Sequence, residues 1–206
     1  QETAELLVKM FQLRPASHFT RSAILNALGS MQVKQVLPDL VAMLGEGFEN
    51  EEWIVSAIGR LADPQARLDL FEKLDDPLRP KTRQEIVRVL GQSKDPAVMG
   101  RAKRGLVDGS RDEQVVLLDI LSRTRDPSHS EAVRDVLDRA TDPQVRKRAI
   151  YALGQFGDAG SAEKLTKLID GGSDQDRTAA LSALRNVRKA ETINALAENW
   201  KDLGEQ

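Results

Sequence analysis

Residues 142–169, DPQVRKRAIYALGQFGDAGSAEKLTKLI, hold the unit on which the whole chain is built. Asp142-Pro143 reads as a helix start: Asp accepts from the first free N–H groups, and Pro loses nothing at the first helical position. Val145, Ala149, Ala152, Leu153 and Phe156 follow at helical spacing and form one apolar stripe. Gly154 and Gly157 are expected to stop this helix, and Asp158 to cap the next. Ala162, Leu165 and Ile169 then line a second helix. The unit is helix, tight turn, helix, and neither helix can bury its stripe alone.

The unit recurs along the chain. With Leu153 as reference, the counterparts are Leu28, Ile58, Leu90, Leu121 and Leu184, spaced 30, 32, 31, 32 and 31 residues apart along the series. Four residues upstream stand Ile24, Ile54, Ile86, Leu117, Ala149 and Ala180. One residue upstream stand Ala27, Ala57, Val89, Ile120, Ala152 and Ala183. Twelve downstream stand Leu40, Leu70, Ala102, Val133, Leu165 and Leu196; sixteen downstream stand Leu44, Leu74, Leu106, Leu137, Ile169 and Trp200. Five downstream, Asp63, Asp95, Asp126 and Asp158 mark the start of the second helix. A fixed period in this range is the signature of a solenoid, in which each repeat buries its stripe on its neighbours.

The DP-x-VR start, the A-x-x-A-L-G core and the second Asp resemble HEAT-like repeats of the short, phycobilisome-lyase type, most closely over 142–169. The expected fold is therefore an all-α, right-handed solenoid of about six two-helix repeats, at 17–45, 50–75, 77–108, 110–140, 142–169 and 173–200. Residues 1–13 place Leu6, Met10 and Leu13 on one face and read as a half-repeat or N-terminal cap. The chain opens on Gln1, half-way through a repeat, so flanking domains of a longer chain are expected.

Aromatic residues are only 4% of the sequence, which suits a core of small helices closely stacked through Leu, Val, Ile and Ala. There is no Cys, so neither disulfides nor thiolate chemistry is available, and the compartment stays open. The formal net charge of −2 gives no general drive toward nucleic acid or an anionic membrane. No apolar run approaches the length of a membrane span.

Several residues stand apart from the apolar columns. Arg21, Arg83, Arg146 and Arg177 recur seven residues before the reference position, with Glu51 and Gln114 in the other two repeats. They read as a row of anion sites or as a ladder tying neighbouring repeats. Residues 46–76 hold nine acids and three bases, and 77–111 nine bases and three acids. Within the basic block Arg101, Lys103 and Arg104 fall on a second helix, the layer that lines the concave face in HEAT-like arrays. They form a candidate patch for an acidic segment of a protein partner; the other reading is an ordinary solvated face. Trp200 occupies a core column. Trp53 falls in a mixed column, and Tyr151 in one otherwise wholly polar, so Tyr151 should be exposed and both are candidate partner-binding residues.

No catalytic constellation, metal motif or cofactor-binding motif appears. His18 and His129 lie three and a half repeats apart, too far to share a metal, and the position of His129 reads as packing. The adjacent carboxylates Glu51-Glu52 and Asp75-Asp76 cannot face each other across a substrate. The function expected is a non-catalytic protein-interaction scaffold, with no cofactor, nucleic acid or membrane partner. The resemblance also admits a chromophore lyase or isomerase subunit. Likeness to the HEAT-like DNA glycosylases admits nucleic-acid binding, although the acidic block interrupts any positive track.

Overall fold

The computed structural model describes residues 2–13 and 17–185, except for the side chain of His18. Among these residues it is built of helices without strands. They are α1 (Glu2–Gln12), α2 (His18–Met31), α3 (Leu37–Ala42), α4 (Glu51–Leu61), α5 (Pro64–Glu72), α6 (Pro80–Gly91), α7 (Pro96–Asp108), α8 (Arg111–Thr124), α9 (Ser130–Arg139), α10 (Pro143–Phe156), α11 (Ala159–Gly171) and α12 (Asp174–Leu184). The even-numbered helices up to α6, with α8, α10 and α12, are the first helices of the repeats; α3, α5, α7, α9 and α11 are the second helices.

The chain divides into two compact units, Gln1–Val98 and Met99–Gln206. In the first, α2 packs on α4 and α4 on α6, with α3 and α5 beneath. In the second, α8 packs on α10 and α10 on α12, while α10 also rests on α9 and α11. Each unit is a piece of α-solenoid, because within it successive first helices pack on one another.

The apolar columns are the core. Leu28, Ile58, Leu90, Leu121 and Leu153 are all fully buried, as are Ile54, Ile86, Ala149 and Ala180 four residues before them. Leu40, Leu70, Ala102, Val133 and Leu165 bury the second helices against the first. Each buried Leu or Ile contributes about 1.5–3 kcal/mol relative to exposure. Leu196 and Trp200 lie outside the described residues.

Two local readings need correction. The first helix of the reference unit does not stop at Gly154; α10 continues to Phe156, and Gly157 ends it in the left-handed conformation (φ 61°). Gly154 instead lets two helices touch. A Cβ there would lie 2.8 Å from both Cβ and the carbonyl oxygen of Ala183 on α12. Gly59 does the same for α4 against Val89 on α6, at 2.8 Å. The second correction concerns α1, whose buried residues are Ala4, Val8 and Phe11. Phe11 stacks on Phe48 (5.8 Å between ring centres), and Leu6, Met10 and Leu13 face outward.

The left-handed residue that ends α10 has counterparts at Gln32, Ala62 and Arg125, with φ of 50–53°. A side chain in that conformation costs about 1–2 kcal/mol, partly offset by the flexibility that Gly adds to the unfolded chain. Ala62→Gly is therefore expected to raise unfolding stability by about 0.5–1 kcal/mol in urea titrations. Gly154→Val should lower it by about 2 kcal/mol or more by overpacking against the α12 backbone. Gly171→Ala, with open space around it, should leave it unchanged or slightly higher.

Candidate functional site

The second helices begin with the caps that the sequence calls for. Asp63 accepts from Ala66 N–H (3.1 Å), Asp95 from Ala97 N–H (2.9 Å), Asp126 from Ser128 N–H (2.9 Å) and Asp158 from Ser161 N–H (3.0 Å). The bond from Ala66 holds the Asp63 carboxyl below its ordinary range, helped by Lys34. For Asp158, burial alone would raise it, but the hydroxyl and N–H of Ser161 and the charge of Arg134 prevail.

The arginine column forms a ladder, and its partners are mainly the free carbonyls at the ends of the preceding second helices. Arg146 donates to Leu137 O (2.8 Å) in the last turn of α9 and to Ala140 O (3.0 Å) just beyond it, and reaches on to Asp176 of the next repeat (2.8 Å). Arg177 donates to Ile169 O (2.9 Å), Gln114 to Leu106 O (3.0 Å) and Arg83 to Asp76 O (3.2 Å). The last carbonyls of a helix have no intrahelical donor, so a cation or amide there satisfies them. Glu51 shows the same logic with opposite sign. The preceding loop turns N–H groups inward through Gly45 and Gly47, both at positive φ. The buried Glu51 carboxylate accepts from both (3.3 and 3.1 Å) and from the Thr82 hydroxyl (3.4 Å).

The basic cluster on α7 divides by role. Both terminal nitrogens of Arg101 donate to Glu113 on α8 (3.2 Å). Lys103 donates to the carbonyl of Ser128 (3.1 Å), and its charge helps to hold the nearby Asp126 carboxyl below its ordinary range. Arg104 is exposed and has no hydrogen-bond or ion-pair partner among the described residues.

The two aromatic candidates lie in equivalent grooves between first helices. Trp53 is half-buried beside Ser22, Leu25 and Asn26 of α2, where Arg60 donates to Leu25 O and Asn26 Oδ1 (both 3.3 Å); the space left is about 110 Å³. Tyr151 is 45% exposed, and the groove beside it, between α10 and α12, measures about 810 Å³. Within the second unit, the groove beside Tyr151 does not include the α7 cluster. The sequence reading passed over this larger groove, because the emptiness lies opposite Tyr151, at Ala179.

His129 is buried, with its ring edge on Phe156 (6.3 Å between centres). Burial pushes its pKa below the ordinary value; the charge of Lys103 adds to this and Asp126 opposes it. Among the described residues no three His, Asp or Glu side chains are placed to hold a metal ion, and no helix is long and apolar enough to cross a membrane.

Residues 105–185 match the family model described as HEAT repeats. That segment, α8 to α12 with the end of α7, therefore carries HEAT-like repeats. Among solved structures, the chain is similar to a designed armadillo repeat protein at 15% identity, with 89% of this chain and 99% of that one covered and a TM-score of 0.41. It is also similar to human deoxyhypusine hydroxylase in complex with glycerol, at 16% identity, 89% and 84% coverage and a TM-score of 0.36. A third is an engineered protein from a structural genomics consortium, at 18% identity, 90% and 96% coverage and a TM-score of 0.40. No curated protein matches the sequence.

The buried imidazole gives the protein's stability a pH dependence of definite sign. The unfolded chain takes up a proton on His129 near pH 6.5, where the folded one resists it. Stability is complete above that value and falls as the pH drops through 6.5 toward the depressed folded value, with a slope of at most about 1.4 kcal/mol per pH unit. His129→Leu should flatten the stability profile measured by urea titration between pH 7 and 5.

Proposed function

We propose that this protein is a non-catalytic interaction scaffold that holds an acidic segment of a protein partner against the second-helix layer, on the α7 turn carrying Arg101, Lys103 and Arg104. The observation that carries this reading is the state of Arg104. Among the described residues its guanidinium is unpartnered, while the neighbouring cations are fixed by Glu113 and the Ser128 carbonyl. Arg101 and Lys103 thus stiffen the turn. Arg104 supplies a positive charge that no ion pair among the described residues offsets, with the Lys103 ammonium close by, and this favours carboxylates and steers their approach. Repeat architecture suits this task, because binding residues can vary on the surface while the buried columns hold the fold.

A pull-down from source-cell lysate at low salt tests the assignment. Arg104→Glu should reduce capture of an acidic partner by tenfold or more while leaving the melting curve unchanged. Arg101→Glu, which sets a second carboxylate against Glu113, should also lower stability by roughly 0.5–1 kcal/mol. Equal capture by wild type and Arg104→Glu would remove α7 from the interface.

A further inference from the structure

The outer surface between successive first helices repeats as the columns repeat. Each groove is walled by the position two before the reference residue of one repeat and the position five before it in the next. Between α2 and α4 these are Asn26 and Trp53, and the indole leaves about 110 Å³. Between α8 and α10 they are Asp119 and Arg148, which close the groove with an ion pair at 3.1 Å. On α6 the position is held by Glu85, largely buried and bound to Arg88 (2.7 Å). Between α10 and α12 the pair is Tyr151 and Ala179. The methyl group of Ala179 reaches nowhere near as far as an indole or guanidinium, and a groove of about 810 Å³ stays open. Its floor includes Ala183, pressed against Gly154, and its polar edge includes Thr178 and Ser182.

We infer that the α10–α12 groove is a docking site for an aromatic side chain, a tryptophan above all, on a partner segment that also presents a carboxylate. The chain supplies its own precedent: in the equivalent groove, the bulk missing at Ala179 is the indole of Trp53. Tyr151, exposed and with no hydrogen bond among the described residues, offers a ring face for an inserted indole to stack against. The acidic requirement comes from Lys147, one helical turn before Tyr151 and on the same rim. It is exposed and has no ion pair among the described residues. The opposing acid Asp174 is neutralised by Arg177 at 3.1 Å, and buried Asp176 by Arg146 at 2.8 Å, so Lys147 carries the unbalanced charge of the groove. An aromatic ring anchored in a pocket with a charge at its rim is the arrangement that concentrates binding energy in a few residues. The inference rests on the scaffold reading, but names a different surface and a different chemistry from the α7 cluster.

The test uses a short capped peptide with 5-fluorotryptophan between two aspartates, titrated with the whole chain and followed by fluorine NMR. Wild type should shift or broaden the resonance at submillimolar protein. Ala179→Trp, which fills the groove from within as Trp53 fills its own, should weaken binding at least tenfold. Tyr151→Ala, an exposed change that leaves the fold alone, should weaken it about as much and stands as the check should Ala179→Trp not fold. Lys147→Glu should weaken the aspartate peptide several-fold and leave an alanine-flanked version unaffected. No response from wild type, or equal binding by Tyr151→Ala and by a folded Ala179→Trp, would overturn the groove assignment while the α7 reading stands or falls by its own pull-down. Peptide binding together with no Arg104-dependent partner would keep the groove and discard the α7 surface.

Discussion

The distance between successive first helices governs the rest of this structure. Where Gly59 meets Val89 and Gly154 meets Ala183, a Cβ on the glycine would sit 2.8 Å from its neighbour. The helices therefore pack at contact rather than at the wider spacing that branched side chains impose. That spacing places the fully buried Leu, Ile and Ala columns of neighbouring repeats against one another. It also brings the outer walls of adjacent helices close enough for one large side chain to bridge or fill the gap, as Trp53 and Arg148 do.

Close stacking leaves helix ends inside the structure, where their backbone groups need partners. In five of the repeats one position meets this demand, and its residue type follows the polarity of the loop before it, while Arg21 in the first repeat pairs with the Glu49 carboxylate at 2.9 Å. Arg146, Arg177, Gln114 and Arg83 meet carbonyls; Glu51 meets the N–H groups of Gly45 and Gly47. A row of guanidinium groups that looks like an anion site in one dimension is thus largely a set of helix caps. The cations left over are fewer; Arg104 and Lys147 are exposed and have no ion pair among the described residues.

The repeat itself was legible from residue types and spacing alone, because a helix that cannot bury its stripe must keep the period at which a neighbour buries it for it. The second-helix caps at Asp63, Asp95, Asp126 and Asp158 were legible for the same local reason. The role of Gly154 was misread, since a glycine that ends a helix and one that admits a neighbouring helix differ only in what lies opposite. The face of α1 was misplaced because Leu6, Met10 and Leu13 keep the same spacing as Ala4, Val8 and Phe11. The exposure of Tyr151 followed from its polar column, whereas the pairing of Arg101 with Glu113 depends on how α7 and α8 meet.

By itself, then, the sequence determined the two-helix unit, its period, its capped starts and the residues that fill its core. These depend on contacts within a helix or on a column repeated in every copy. Tertiary structure alone decided which cations remain unpaired and which inter-helix groove remains open. Both are settled by the single residue facing each position from the next repeat, and the cavity beside Tyr151 exists because that residue is Ala179.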